Sequence, residues 1–393
     1  MKRLTILCTA VLALGAAVAS ATITTTSNVY DSTIWFNEDF ASAVDSAGNL
    51  YTVGYAFLAP PQSDYVTSIR KYGTKGSSSW TQTRNVSCQS CPGNETATDI
   101  ALSSGGSSVY VSSYAPELVG VNTGADWRIT KYNSAGVLQW EQVFGTSNDD
   151  RPFGIDYDDQ TDTIVIVGSW GTAAQVMRLQ GATGATLGTD TTTLTAAFDV
   201  SVDPTASGMG GPGAGFYVVG GSAFSTFGMS GTYLGSQSIT FDGTHPPFVD
   251  VDLGTGAVCL GGSGSNLASG SSGLDGWARR YAYTGALDWS VSYHNSTELF
   301  LGIAAKHGGN GCVAVGEVGS GNTDMLLVDY SGAGNFVDDD IADDSSRPNP
   351  GYHVVVQHGG TAKVVATGRA WSVFGGPPPQ PFSYDGWIRW LTL

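Results

Sequence analysis

The sequence predicts an all-β fold, a seven-bladed β-propeller of four-stranded antiparallel blades. Three observations carry this. Two short motifs recur at near-constant spacing along the chain. Between them lie short β-patterned runs broken by Gly, Asn, Asp and Ser, with no 3.6-residue apolar period. The chain also begins and ends on complementary fragments of one repeat. A four-stranded unit cannot bury both faces alone, whereas seven packed around an axis bury them all.

In chain order, the first element is a leader. Lys2 and Arg3 precede an apolar run that ends at Ala19-Ser20-Ala21, the pattern of a secretory signal peptide over residues 1–21, with cleavage before Thr22. The run is shorter than the roughly 20 residues that span a bilayer. The remainder, 22–393, reads as the propeller. Its first run, TTTSNVYDSTIWF, is a strand without inner strands before it. The last run, SYDGWIRWLTL, is a third strand without a fourth, so pairing the N- and C-terminal strands should complete one blade, close the ring and remove exposed sheet edges.

Between the ends, one line places a Tyr, four residues on a Gly, and four more on a Trp: Tyr72, Gly76 and Trp80; Tyr132, Gly136 and Trp140; Tyr281, Gly285 and Trp289. An Asp stands six residues before a Tyr at Asp126, Asp275 and Asp324. The second line is an apolar strand, a polar turn and a strand ending at Gly54, Ser112, Gly168, Gly220, Gly261, Gly316 or Gly368, spaced 41 to 58 residues apart. The fourth unit lacks the Tyr-Gly-Trp line, which predicts six good blades and one degenerate one.

The Gly-x-x-x-Trp turn resembles the tryptophan-docking line of PQQ-like propeller repeats. The fuller pattern from Asp126 to Ser169 is similar to β-propeller repeats of bacterial secreted and cell-surface proteins. The resemblance covers the chain after the leader and implies the fold more than a function. Quinoprotein dehydrogenases use adjacent cysteines and usually eight blades; here Cys88 and Cys91 stand three positions apart and the repeats number seven. The sialidase turn places its aromatic three residues after Gly, not four, and arginines are few.

Composition narrows the partners. With 17 basic against 34 acidic side chains the net charge is −17, which disfavours nucleic acid and anionic membranes. Cys88 and Cys91, in a polar loop, could close a small disulfide, whereas Cys259 and Cys312 lie in apolar runs and read as buried thiols. No second Cys or His pair offers zinc-ligand spacing to the first. Asn85, Asn94 and Asn295 head glycosylation sequons. No motif demands a cofactor; the ion the acidic turns would take is Ca²⁺, at Asp156, Asp158 and Asp162 or in the run Asp338–Asp344, although neither run has the full calcium-loop pattern.

Two further sets are candidates for binding. Alignment of the innermost strands places Asp99, Asp199 and His353 at equivalent strand starts, beside Gly154 and Gly302, at one mouth of the channel. Tyr55, Tyr114, Trp170, Phe224 and Trp371 follow the second strand and should emerge on the same face, where a ring of aromatics could stack on an extended ligand. The reading is therefore a secreted, extracellular or cell-surface binding module, or a periplasmic one, without catalysis. Its partners are a neutral glycan or a protein or peptide. The alternative is an extracellular hydrolase or lyase acting on polysaccharide at the channel mouth.

Overall fold

The computed structural model describes residues 23–393 apart from 32–36, 58–64, 75, 85–94, 121–123, 192–193, 195, 205–214, 240–244, 268–272, 295–296, 320–322, 343–348, 358–362 and 373–382. Seven separate four-stranded antiparallel sheets follow one another in the chain. Blades 1 to 6 span residues 37–84, 96–144, 150–191, 199–238, 248–293 and 298–342. Blade 7 takes its inner strands from residues 351–392 and its outermost strand from Thr24–Asp31, which pairs antiparallel with Ser383–Thr392. The innermost strands neighbour one another in cyclic order, and that of blade 7 packs on that of blade 1.

That pairing completes a blade but closes no sheet, which corrects the expectation that it would abolish sheet edges. Each sheet stays open, with one edge at the channel and one at the rim. Face-to-face packing closes the ring. Seven apolar clusters each draw side chains from two adjacent blades, the last joining Leu50 and Tyr72 of blade 1 to Val365, Ile388 and Trp390 of blade 7.

Both recurring sequence lines have a steric cause. In blades 3, 6 and 7 the innermost strand carries a bulge, at Pro152/Gly154, Phe300/Gly302 and Gly351/His353. The anchor glycine of the second strand sits against it: a Cβ on Gly168 or Gly316 would lie 2.2 or 1.7 Å from a carbonyl oxygen of the first strand, and one on Gly368 2.2 Å from that of Pro350 just before it. The Tyr-Gly-Trp line docks one blade on the next. Trp80, Trp140 and Trp289 donate their indole N–H at 3.1 Å to the carbonyls of Ser134, Gly181 and Gly332 in the following blade. Gly136, Gly184 and Gly334, all at positive φ, lie under those rings, and a Cβ there would meet the indole at 3.0 Å or less.

Blade 4 is not degenerate. It has four strands, at Asp199–Asp203, Gly215–Gly220, Ala223–Gly228 and Tyr233–Ser238. Polar side chains take the place of tryptophan at its two junctions: Arg178 of blade 3, ion-paired to Asp190, donates to Met229 O at 3.2 Å, and Gln237 donates to Gly285 O at 3.0 Å. Cys259 and Cys312 are buried as read, but not as thiols. They form a disulfide that ties the second strands of blades 5 and 6.

Candidate functional site

The channel wall is built by one device used four times. A carboxylate on an innermost strand accepts from the next amide of its own strand through one oxygen and from an amide of the following blade through the other. Asp99 accepts from Ile100 and Ile155, both at 2.8 Å. Asp156 accepts from Tyr157 and Val202 at 2.7 Å. Asp199 accepts from Val200 at 2.8 Å and Val249 at 2.9 Å. Asp250 accepts from Val251 at 2.9 Å and Ala305 at 2.7 Å. These bonds cross four of the seven junctions, in positions where an apolar side chain would leave strand amides unpaired.

At the junction of blades 7 and 1, His353 takes the same part. Its Nδ1 accepts from the Ser42 N–H at 3.3 Å and lies 3.2 Å from Ser42 Oγ. That nitrogen therefore carries no proton, consistent with burial pushing the imidazole pKa down to about 4. Burial, with repulsion from neighbouring channel acids, raises the carboxylates: Asp156 and Asp199 to about 7, Asp250 to about 6, and Asp99 well above the ordinary range. Gly154 and Gly302 serve the packing, since a Cβ there would stand 3.0 Å from the Asp199 Cα or the Tyr352 carbonyl oxygen.

Within this wall lies a cavity of about 690 Å³. It runs from the tier of Asp99, Asp199, Gly302 and His353 to the turns that follow the innermost strands, where Ser46, Ser104, Gln160 and Leu253 are exposed. It thus reaches the surface on the face opposite the one carrying the aromatic positions. Six aspartates line it, Asp45, Asp99, Asp156, Asp159, Asp199 and Asp250, with His307 and His353 but no Lys or Arg among the described lining residues.

The aromatics do not make an open ring. Phe224 is core, packed between Tyr217 and Tyr281. Its removal from the proposed stacking platform is a correction with a simple cause: it lies within the third strand of blade 4 rather than in a loop. Tyr55 packs its half-buried ring on Phe40 and Tyr65, Tyr114 lies under the Arg151 guanidinium at 4.8 Å, and half-buried Trp170 meets Trp127 edge-on. Trp371 pairs with Tyr384 in the strand ladder, and its side chain lies outside the description.

The acidic turns disperse as well. Asp156 faces the channel, Asp158 caps its turn by accepting from the Gln160 N–H and the Thr161 hydroxyl, and Asp162 accepts from the Tyr157 hydroxyl and the Ala182 N–H. Asp338, Asp339 and Asp340 likewise engage three separate partners, the Ile23 N–H, the Tyr293 hydroxyl and Arg389. Residues 1–21, Cys88, Cys91, Asn85, Asn94, Asn295, Asp343 and Asp344 lie outside the described residues.

Sequence reasoning missed two things. Asp250 is a polar residue inside an apolar first-strand run (Val-Asp-Val), as Asp156 is in Ile-Asp-Tyr, and that placement is the signal. The other is a cluster at the junction of blades 5 and 6. Asp275 starts a third strand, Glu298 starts the next innermost strand, and His294 lies between them in the chain, with its Nδ1 2.7 Å from Asp275 and 3.5 Å from Glu298.

No family model and no curated protein matches this chain. Solved structures do match in fold. A chain in a crystal structure of a mitotic checkpoint complex superposes with a TM-score of 0.57 at 8% identity, over 100% of this chain and 99% of that one. The Pan2 WD40 domain of Neurospora crassa gives 0.51 at 9% identity, over 90% of this chain and 89% of that one. At such identities the likeness shows a shared β-propeller fold. The resemblance to PQQ-like and bacterial secreted repeats is corrected by these findings: no family model supports it, and the similar structures are propellers of other description. The placement as a secreted, cell-surface or periplasmic protein is withdrawn with it: the structures of similar fold are a chain of a mitotic checkpoint complex and a WD40 domain. No helix among the described residues is long and apolar enough to cross a membrane.

Proposed function

We propose that this propeller is a non-catalytic binding module that holds a neutral or basic peptide segment of a protein partner at the turn-face end of its channel. The observation that carries this reading is the cavity of about 690 Å³ lined by six aspartates, without a Lys or Arg among its described lining residues. With no positive charge of its own, and with its raised acids ionising as pH passes about 7, such a wall favours cationic or hydrogen-bond-donating groups over anionic ones. The fold supports the reading by analogy, since one structure of similar fold is a chain of a multi-protein complex and another is a WD40 domain. A neutral glycan is the competing ligand. The polysaccharide-cleaving alternative would draw on the raised channel carboxylates, but each of the four is committed to two backbone amides.

The test is fluorescence anisotropy with labelled peptides rich in Lys and Arg, matched acidic peptides and neutral oligosaccharides. Basic peptides should bind and weaken as salt is raised, since exposed charges are screened within about 10 Å at 0.1 M. Leu253→Arg, at a cavity-rim residue that is 38% exposed, should weaken binding about tenfold with the melting temperature unchanged. Absence of peptide binding, or binding indifferent to Leu253→Arg, overturns the proposal. Turnover of a polysaccharide panel would favour the enzyme.

A further inference from the structure

We infer that Asp275, His294 and Glu298 form a binding site for a divalent transition-metal ion, with zinc the best fit, at the junction of blades 5 and 6. Their ligand atoms all lie within 4.8 Å of one another, and they make the sole such group of three among the described residues. Two of the three are fully buried: the side chains of Asp275 and Glu298 have 0% exposure, while that of His294 has 30%. The carboxylates thus form the inner wall and the imidazole the outer, which leaves further coordination positions facing solvent.

The charge and the mix of ligand atoms favour an ion here. Two carboxylates in one buried pocket repel each other unless a cation lies between them. His294 turns one ring nitrogen, Nδ1, toward both, at 2.7 and 3.5 Å. A ring nitrogen has at most one proton to give, and at 2.7 Å it is directed to Asp275, which also accepts from the Leu267 N–H. A dipositive ion in place of that proton serves all three. Zinc with nitrogen and carboxylate oxygen ligands at about 2.0–2.2 Å sets neighbouring ligand atoms about 3.4 Å apart; the three side chains, now 2.7 Å, 3.5 Å and at most 4.8 Å from one another, need only small shifts to close on one ion. The donor set excludes the hard cations as best occupants, because imidazole suits zinc and its neighbours while calcium calls for six to eight oxygens.

A second junction argues that the cluster is not a by-product of the repeat. Asp126 and Asp150 hold the positions of Asp275 and Glu298 at the junction of blades 2 and 3, and Thr146 stands where His294 does, four residues before the acid. There backbone amides meet both carboxylates, as the Leu267 N–H meets Asp275 at 2.6 Å, but no imidazole stands beside them. Asp150 accepts from the N–H groups of Thr146 and Gly171, and Asp126 from that of Val119. At blade 2 the equivalent acid, Glu95, is neutralised by buried Arg128 at 3.0 Å. Only at blade 6 is the cation at this position an imidazole, a group that can also ligate a metal.

The experiment is isothermal titration of the tag-free, EDTA-treated full chain with zinc chloride at pH 7.5, with the melting temperature followed in parallel. One equivalent should bind saturably and raise the melting temperature by mass action. His294→Ala, a partly exposed position where folding is not at stake, should weaken zinc binding at least about tenfold, and Glu298→Gln should do the same. His307→Ala, an exposed histidine on the opposite face, should leave binding unchanged. Millimolar calcium or magnesium should not displace the zinc. Binding without a defined stoichiometry, wild-type affinity in His294→Ala, or displacement by calcium would overturn the site. Should Glu298→Gln fail to fold, His294→Ala decides alone.

Discussion

The junction between blades 2 and 3 and that between blades 5 and 6 share a frame and differ in what fills it. Both dock a tryptophan on the next blade, Trp140 on Gly181 and Trp289 on Gly332. Both place an aspartate at the start of the third strand and an acid at the start of the following blade. At blades 2 and 3 the rest is apolar contact and backbone amide: Tyr110, Ile164 and Ile166 share one cluster, and Asp150 is held by two amides. At blades 5 and 6 a disulfide bridges the second strands, and a histidine replaces the threonine between the acids. The repeat geometry therefore tolerates two side chains beside its buried acids, and threonine or histidine is the difference between them.

The largest effect expected is loss of the disulfide. Cys259→Ala with Cys312→Ala opens a loop with a sequence separation of 53, and the chain-entropy model puts the cost at about 4 kcal/mol. Denaturant unfolding should show it. A double variant as stable as wild type would mean that this junction holds without a covalent tie, as the one between blades 2 and 3 does.

Next is Gly145→Ala at the other junction. Its Cβ would lie 2.0 Å from Asp126 Oδ1, and relief of that clash should cost about 3 kcal/mol. An unchanged melting temperature would show that the amide-closed junction has slack. Smaller still is His294→Thr, which writes the blade 2 residue into blade 5. Metal-free stability should move by no more than about 0.5 kcal/mol, while the zinc-dependent rise in melting temperature disappears. Persistence of that rise would place the metal elsewhere.

The last effect separates both junction tops from the channel. Asp156 and Asp199, raised to about 7, hold protons in the folded state that they release near pH 4 when unfolded. Their contribution is full below pH 4 and is lost as pH rises through 7, so stability should fall from pH 5 to pH 8. His353, lowered to about 4, works the other way, its contribution growing as pH rises from 4 to 6.5. The carboxylates act alone above 6.5. Melting temperatures at pH 6.5 and 8 should therefore differ in wild type and differ less in Asp199→Asn, whatever that variant loses overall. An identical slope would mean that the carboxylate titrates normally.

The part of this architecture legible in the residues is the part that repeats. Gly168, Gly316 and Gly368 mark the bulges, Gly136 and Trp80 the docking of one blade on the next, and Thr24–Asp31 the missing strand of the last blade. Each is a local steric requirement that recurs with the period of the fold, so sequence alone carries it. Asp99, Asp199 and His353 were legible as channel residues for the same reason. Tertiary structure decided what depends on one particular junction. Cys259 and Cys312 look like core thiols until blades 5 and 6 bring their sulfurs together. Phe224 looks like a loop aromatic until its strand places it in the core. Periodicity specifies how each blade is made and how blades stack; it does not say which non-repeating side chains will meet where two of them touch, because those encounters span about fifty residues and obey no period.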